Sequence, residues 1–290
     1  MKIAITGGAG LVGRFIVNEA IASGDQVSVL TRQPPEPGFF NGPVERLSYD
    51  LAGEIPDLSG FDAVVHAAFD HVPGRYRGGE GADPEGFLAR NLTGTIRLFR
   101  ATERVGARLI FMSSRAVYGS RSGHLTEDIE CRPDTLYGQA KFVAEQALLE
   151  TGQPAMILRA TGVYGQAGPG QRHKWADLFD DFEAGRKIRP RAGTEVHGDD
   201  LAAAVRLGLT GADGVFNLSD LLLDRWKLLT EWQRVTGISG RLPAMADSSS
   251  HGQMSTERLC RIGWRPGGWA LLGRTLHEIA QSDGFLPQGT

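Results

Sequence analysis

The feature that most constrains the fold is a glycine cluster near the start of the chain. The apolar run Lys2 to Thr6 is typical of a buried strand, and it leads directly into the sequence Gly-Gly-Ala-Gly-Leu-Val-Gly. That cluster opens an amphipathic helical pattern, Leu11 to Ala22. Glycines between a strand and a helix let backbone N–H groups and the helix N-terminus approach a phosphate closely. The alternative is a tight turn that only packs the helix on the strand. The residues predicted to contact a dinucleotide are Gly7, Gly8, Gly10, Leu11, Val12 and Gly13.

Short apolar runs alternate with longer amphipathic runs through the first half of the chain. After the first strand, the predicted strands are Val27 to Leu30, Leu47 to Leu51, Ala63 to Ala67, Arg108 to Met112 and Ala155 to Leu158. The predicted helices are Leu11 to Ala22, Glu85 to Val105 and Leu136 to Glu150. This order is that of βαβ units, which form a parallel sheet with helices on both faces. We therefore predict an α/β fold with a doubly wound parallel Rossmann sheet.

The predicted Rossmann domain covers residues 1–165, with a strand and a helix returned from the C-terminal part. A smaller, mixed substrate-binding lobe is predicted for residues 166–290, where the alternation becomes less regular. The Gly/Pro-rich insertion Pro73 to Pro84 is predicted to be either a flexible lid or a mobile surface loop. The basic runs Arg172 to Lys174 and Arg186 to Arg191 are predicted either to meet a phosphate or to be solvated surface.

Composition and charge limit the kinds of molecule that the protein is expected to bind. A formal net charge of -3 gives no reason to expect nucleic acid or an anionic membrane as the main partner. The chain shows neither the run of ~18 apolar residues needed to span a membrane nor the apolar region of a signal peptide near Met1. Cys131 and Cys260 lack metal-site spacing and fit a reduced compartment. We expect a cytoplasmic protein with a small-molecule substrate and no metal.

The ends of the second and third predicted strands bear on the choice of dinucleotide. The acidic residue that would hold the ribose hydroxyls of NAD is missing after Leu30, and Arg32 follows instead. A cation there suits the 2′-phosphate of NADP, and an exposed loop arginine is the alternative. Asp50 is predicted either to accept a hydrogen bond from the adenine amino group or to be a plain turn residue. NADP is thus favoured by Arg32, and NAD is the alternative.

A tyrosine and a lysine mark the candidate catalytic site. Tyr137 and Lys141 lie four residues apart, hence on one face of a predicted helix. Ser114 lies just past a predicted buried strand. A strand end and the next helix converge at the carboxyl edge of a parallel sheet, beside the predicted dinucleotide. The three side chains are therefore predicted to meet, and the alternative is a packed Tyr137 with a solvated Lys141.

These segments closely resemble the extended short-chain dehydrogenase/reductase superfamily, in particular the NAD-dependent epimerase/dehydratase family. The matching segments are the glycine loop, Val65 to Ala68, Asn91 to Thr95, the strand before Ser114, Tyr137 with Lys141, Leu158 to Gly165 and Val196 to Leu201. The resemblance implies that Tyr137 is the acid/base. It implies that Lys141 lowers the pKa of Tyr137 and binds the nicotinamide ribose, and that Ser114 orients the reacting hydroxyl or carbonyl.

The resemblance also extends the predicted site. Further cofactor contacts are expected from Leu51, Ala67, Ala68 and Asn91. Candidate substrate contacts are Phe69, Arg115, Tyr164 and Arg191, with core packing as the alternative for Tyr164. The predicted helices Glu85 to Val105 and Leu136 to Glu150 resemble those through which family members dimerise. A homodimer is therefore expected, with a monomer as the alternative.

Two departures from the family pattern affect the predicted substrate. Nucleotide-sugar members commonly carry an arginine four residues before the histidine that matches His197; here that position is Gly193, although Arg191 is a possible substitute. No Asp-Glu pair follows Ser114, which disfavours a 4,6-dehydratase.

Three functions stay open. The first is epimerase-type hydride transfer at a hydroxyl or carbonyl carbon of a sugar or sugar nucleotide. The second is a dehydrogenase or reductase that exchanges its cofactor and acts on a free sugar or small carbonyl compound. The third is a non-catalytic NAD(P)-binding sensor, which has no need for a complete set of Ser114, Tyr137 and Lys141.

Overall fold

The computed structural model describes residues 1–33, 35–72, 78–249 and 251–287. The strands are β1 (Lys2–Thr6), β2 (Gln26–Thr31), β3 (Glu45–Ser48), β4 (Ala63–His66), β5 (Arg108–Ser114), β6 (His124–Leu125), β7 (Ala155–Ala160), β8 (Gly162–Tyr164), β9 (Ala192–His197), β10 (Gly214–Leu218), β11 (Leu221–Asp224) and β12 (Gln253–Met254). The α-helices are α1 (Leu11–Ala22), α2 (Pro84–Leu88), α3 (Gly94–Arg104), α4 (Leu136–Thr151), α5 (Ala176–Glu183), α6 (Gly198–Leu209), α7 (Arg225–Thr236), α8 (Glu257–Arg261) and α9 (Gly268–Ser282).

The central sheet is parallel. Within the described residues its strand order is β10-β7-β5-β4-β1-β2-β3. The register places Ile5 of β1 between Val29 of β2 and Val65 of β4. Helices cover both faces, so the central strands read as continuous apolar runs rather than as alternating ones. The predicted α/β fold class is confirmed. The strand order reverses between β1 and β4, which makes the carboxyl ends of these two strands the expected ligand crevice.

Two pairs of helices cover the sheet. On one face, Ile16 of α1 and Val205 of α6 pack in the same buried cluster. On the other face, Phe99 of α3 and Leu148 of α4 do the same. Since α6 and β10 follow β8 and β9 in the chain, the C-terminal part contributes one helix and one strand to these layers. The domain boundary at residue 165 stays a prediction.

A third buried cluster holds α5, α7 and α9 together. Phe179 of α5 stacks on Trp232 of α7 with 4.0 Å between ring centroids, and Leu276 of α9 joins them. Strand β9 lies between β8 and β11 in a second sheet. Strand β12 pairs with β6, with Met254 beside Leu125. This pairing ties residues near the C-terminus to the segment that follows β5.

Two boundaries differ from the sequence predictions. The third strand, predicted for Leu47 to Leu51, is Glu45–Ser48; the prediction was wrong because the chain turns at Asp50, whose Oδ1 accepts a hydrogen bond from the N–H of Ala52 at 2.8 Å. The helix predicted for Glu85 to Val105 contains a π-helical segment, Ala89–Thr93. The predicted lid lies partly outside the described residues, at 73–77. In the described part, no helix is both long and apolar enough to cross a membrane.

A pair of glycine substitutions tests how closely the layers pack. A Cβ on Gly94, at the start of α3, would collide with the carbonyl oxygen of Leu51, whereas nothing lies within 4 Å of a Cβ on Gly273 in α9. We expect Gly94→Ala to lower the free energy of unfolding by about 1–3 kcal/mol or more, since backbone must move. Gly273→Ala should raise it by about 0.4–1 kcal/mol. Urea denaturation measures both, and an equal effect of the two substitutions would contradict the packing described here.

Candidate active site

The glycine loop brings three backbone segments into contact. Gly7 has a φ of +71°, and a Cβ there would lie 2.7 Å from the backbone nitrogen of Ala68. A Cβ on Gly13 would lie 2.6 Å from the Cα of Gly8. The predicted glycine contacts and the residues after β4 therefore share one crevice, which any side chain at these positions would fill.

The start of α1 supplies free backbone donors to this crevice. Gly10 is the N-cap and forms no side-chain cap, and the first turn carries no acidic residue. The N–H groups of Leu11, Val12 and Gly13 have no acceptor within the helix, because an α-helix leaves its first N–H groups unsatisfied. Unsatisfied donors at the positive end of a helix favour an anion. The crevice therefore fits the pyrophosphate of a dinucleotide.

Two opposite charges lie at the ends of β2 and β3. Arg32 Nε and Asp50 Oδ2 are 3.8 Å apart, and their side chains are 69% and 41% exposed. Both are thus accessible to a ligand at this edge of the sheet. Leu51 is buried, and its carbonyl accepts a hydrogen bond from Arg97 at 2.9 Å.

The end of β4 is fixed by a buried chain of hydrogen bonds. His66 Nδ1 lies 2.7 Å from Thr6 Oγ1, and His66 Nε2 lies 2.8 Å from Thr95 Oγ1. The N–H of Ala68 donates to the same Thr6 oxygen at 3.1 Å. Burial, and then the charge of Lys141, lower the pKa of His66 to about 3. A neutral His66 therefore orients the Ala67 and Ala68 backbone.

Asn91 shapes the loop that follows these alanines. Its Nδ2 donates to the carbonyl oxygens of Asp70 at 2.7 Å and Phe87 at 3.1 Å. Its Oδ1 accepts from the N–H of Asp70 at 2.7 Å. With its amide committed to backbone, Asn91 acts on the site by holding the loop.

Lys141 is buried behind the candidate catalytic face of α4. Its Nζ donates to the carbonyl oxygen of Met112 at 2.7 Å. The same Nζ lies 4.5 Å from the ring centroid of Phe69 and 4.8 Å from that of Phe111. Burial lowers the pKa of Lys141 to about 7, and the negative charge of Glu145 opposes that shift. The aromatic faces and Glu145 thus favour the ammonium form that burial disfavours.

Phe69 joins the tyrosine to the lysine. Its ring meets that of Tyr137 edge to face, with centroids 4.8 Å apart. Phe69, predicted as a substrate contact, therefore lies against two of the three candidate catalytic residues. Ser114 ends β5, and its Oγ accepts a hydrogen bond from the N–H of Ala116 at 3.1 Å. That bond leaves the hydroxyl proton of Ser114 available for another oxygen.

An ion pair buried beneath these residues was missed by sequence reasoning. Glu145 is fully buried one turn after Lys141 and accepts from Arg159 Nη2 at 2.7 Å. Glu145 also accepts a hydrogen bond from Ser113, the neighbour of Ser114. Arg159 Nη1 donates to the hydroxyl oxygen of Tyr118 at 2.9 Å. The available sequence signal was a glutamate on the inner face of a helix and an arginine within a buried strand.

The candidate substrate contacts fall in different surroundings. Tyr164 is fully buried, and its ring stacks on Trp175 at 5.0 Å. The structure thus places it in the packing of the C-terminal cluster. Arg115 is half-buried, and its Nη2 donates to the carbonyl oxygen of Gly252 at 2.9 Å. Arg191 is exposed at the start of β9.

Three cations of the two basic runs are paired with carboxylates. Arg172 pairs with Asp180 at 2.6 Å, and Arg186 pairs with Asp181 at 2.6 Å. Lys174 pairs with Glu195. Among the residues that the structure describes, Arg191 forms no such pair. Lys187 and Arg189 likewise form none among the described residues, so three exposed cations of the second run remain available for a ligand anion near β9.

Comparison with known proteins finds a matching family and similar sugar-nucleotide epimerases and decarboxylases. The model of the NAD dependent epimerase/dehydratase family matches residues 3–218. A UDP-glucose 4-epimerase of Lactobacillus helveticus is 31% identical over 159 residues, which are 51% of this chain and 46% of that protein. A UDP-glucuronic acid decarboxylase 1 of Arabidopsis thaliana is 28% identical over 163 residues, 53% of this chain and 34% of that protein. The matched part thus spans less than half the length of either relative.

The fold is shared with solved structures over nearly the whole chain. MoeE5 in complex with UDP-glucose and NAD has a TM-score of 0.80 and is 24% identical, covering 98% of this chain and 99% of that one. At this identity the likeness establishes the common fold.

The buried ion pair yields a stability prediction. Glu145→Gln leaves the Arg159 guanidinium buried without a counter-charge, which should lower the free energy of unfolding by about 3–5 kcal/mol. Glu150→Gln, on the exposed face of the same helix, is the matched control and should change it by less than about 0.5 kcal/mol. Chemical denaturation measures the free energy of unfolding of both variants. Equal values for the two would show that the ion pair does not stabilise the fold.

Proposed function

Because the chain belongs to the NAD dependent epimerase/dehydratase family, we propose that it is an enzyme that transfers hydride at a hydroxyl or carbonyl carbon of a sugar or sugar nucleotide. One observation carries the proposal. Tyr137 and Lys141 of α4 contact Phe69 beside the switch point of the sheet, where the glycine crevice opens, and Ser114 ends the strand whose Met112 carbonyl holds Lys141.

The crevice and the lysine would hold the cofactor. A bound nicotinamide dinucleotide supplies the hydride acceptor or donor. The N–H groups at the start of α1 would bind its pyrophosphate, and Lys141 would bind its nicotinamide ribose. Phe69 and Phe111 exclude water from Lys141, which strengthens the effect of its charge on neighbouring groups.

Tyr137 moves the proton. It takes the proton from the substrate hydroxyl oxygen as the carbon–hydrogen bond breaks, and it returns the proton to the carbonyl oxygen in the reverse direction. A free phenol with a pKa near 10 is a poor base at pH 7, and the positive charge of Lys141 favours the phenolate. Ser114 donates its hydroxyl proton to the same substrate oxygen, while its own oxygen accepts a hydrogen bond from the N–H of Ala116. The substrate is thereby positioned before reaction.

A second candidate is a dehydrogenase or reductase that exchanges its cofactor and acts on a free sugar. Gly193 favours it. Nucleotide-sugar members commonly carry an arginine here that contacts the diphosphate, and in this structure nothing lies within 4 Å of a Cβ at that position. The space beside Gly193 is therefore open.

We also infer that two copies of the chain associate through the outer faces of α3 and α4. Val143 and Leu149 of α4 are 44% and 49% exposed, which is apolar surface that a second copy would cover. The cytoplasmic location stays a prediction.

Replacing the proposed acid/base gives the sharpest test of the reaction. Tyr137→Phe should lower kcat by a factor of 100 or more while dinucleotide binding is retained, since general acid–base catalysis contributes about 10²–10⁴-fold. Tyr49→Phe is the control, because this buried hydroxyl has no hydrogen-bond partner in the described residues. Turnover of Tyr137→Phe within a few-fold of the parent would exclude the mechanism. Dinucleotide binding by a parent protein that turns over no sugar or carbonyl compound would favour the sensor.

The cofactor can be identified without a substrate. An epimerase returns the hydride to its own substrate and keeps its cofactor bound, so denaturation of the purified protein should then release a nucleotide. A dehydrogenase that exchanges its cofactor in each turnover should release none. NADP is expected to bind at least 10-fold more weakly to Arg32→Ala, with NAD little affected, if Arg32 meets the 2′-phosphate. Arg104→Ala, exposed at the end of α3, is the control. Stoichiometric release of NAD would contradict the preference for NADP.

A further inference from the structure

We propose that the chain carries a second, non-catalytic site, which binds a neutral sugar in a cleft between the N-terminal half of α7 and the first turn of α9. The cleft has a volume of about 310 Å³, within the range of about 300–1,000 Å³ that small-molecule sites occupy. Its lining, called here the tryptophan cleft, consists of Trp226, Lys227, Thr230, Glu231 and Trp269. None of these residues is among those proposed to bind the dinucleotide or to move hydride and proton.

Two indole rings form the apolar part of the tryptophan cleft. Trp269 is 46% exposed, and Trp226 is partly exposed. The other three tryptophans of the chain are buried in the fold: Trp175, Trp232 and Trp264. A single apolar side chain at a surface is ordinary, whereas two large aromatic side chains that line one cleft form a surface suited to a ligand.

The tryptophan cleft is held in shape by the fold. Helices α7 and α9 contribute to the same buried apolar cluster, which fixes them against each other. The start of α7 is capped by Asp224, whose Oδ1 accepts a hydrogen bond from the N–H of Trp226 at 2.6 Å. The start of α9 is held at Gly268, whose N–H donates to Asp220 at 2.9 Å. Little ordering of the protein is therefore needed when a ligand binds, which favours affinity.

Hydrogen-bonding groups lie beside the indole rings. The exposed Lys227 has its Nζ 5.4 Å from the ring centroid of Trp269, which places an ammonium donor near an aromatic ring. Thr230 Oγ1 donates to the carbonyl oxygen of Trp226 at 2.8 Å, so its lone pairs are left as acceptors. The cleft thus offers donors and acceptors together with apolar surface.

The charges of the cleft favour a neutral ligand. Lys227 repels a cation, and Glu231 repels an anion. Glu231 Oε2 already accepts a hydrogen bond from Arg234 Nε at 2.8 Å, so this carboxylate is not a free counter-charge for a cationic ligand. The remaining carboxylate oxygen of Glu231 is a further acceptor for a neutral donor.

A pyranose matches this combination of surfaces. Its C–H groups form an apolar face that an indole ring covers, and its hydroxyl groups are both donors and acceptors. Small-molecule sites of this kind combine aromatic walls with a few polar groups that fix the orientation of the ligand. A purely apolar ligand would leave Lys227 and Glu231 without partners.

The indole N–H groups of the five tryptophans give a direct test. Isotope-labelled protein is titrated by NMR with methyl glucopyranoside, with choline and with acetate, and single Trp→Phe variants assign the signals. The glucoside should shift the signals of Trp226 and Trp269 to saturation, and those of the buried Trp232 and Trp264 should move less. Saturable shifts of Trp226 and Trp269 with choline or acetate alone, or with none of the probes, overturn the proposal.

Variants locate the bound sugar. Trp269→Ala should weaken glucoside binding, read from the Trp226 signal, by about 10-fold or more, since large aromatic side chains carry much of the binding energy of a site. Lys227→Met keeps an apolar stem but loses the donor, and should weaken binding by about 3-fold or more. Glu278→Gln, exposed farther along α9, is the control and should have no effect. Unchanged affinity in both cleft variants contradicts the assignment.

Turnover separates the tryptophan cleft from the candidate active site. Trp269→Ala should turn over the substrate as the parent protein does. Loss of turnover together with loss of glucoside binding would mean that the cleft belongs to the active site, and would overturn the claim of a second site. The indole signals can be read whether or not the chain turns over a sugar, so a failure of the proposed function leaves this test intact.

Discussion

The buried pair of Glu145 and Arg159 sets the positions of the groups above it. It joins α4 to β7, and through Ser113 it reaches β5, so the helix that carries Tyr137 and the strand that carries Ser114 share one anchor. Separating a buried ion pair lowers the free energy of unfolding, because each charge would then be buried without a counter-charge. The relative position of helix and strand therefore follows from this interaction as much as from apolar packing.

Close backbone contact is the complementary constraint on the opposite side of the site. At Gly7 and Gly13 the chain segments approach so closely that no side chain fits between them. Phe69 lies between the two regions, with Tyr137 at its edge and Lys141 over its face. Burial of Lys141 lowers its pKa, and the aromatic faces of Phe69 and Phe111 together with Glu145 oppose that shift.

The candidate substrate contacts are assembled differently from the candidate cofactor crevice. The crevice uses backbone from neighbouring strands of one sheet, whereas Arg115 and Arg191 come from distant segments of the chain. The bond from Arg115 to the Gly252 carbonyl links the C-terminal segment directly to the residue after Ser114. Changes in that segment can therefore shift Arg115 while Tyr137 and Lys141, which lie on α4, stay in place.

The sequence alone determined what depends on local pattern: β1 and α1 have their predicted bounds, the glycine loop lies between them, and Tyr137 and Lys141 share a helix. Local pattern placed the end of β3 wrongly, because its pairing with β2 and the turn at Asp50 decide that boundary. Only the tertiary structure decided that Glu145 meets Arg159 and that Arg115 meets Gly252. Such contacts join residues far apart in the chain. The periodic pattern of apolar residues predicts that a side chain is buried, but it does not predict which residue that side chain contacts.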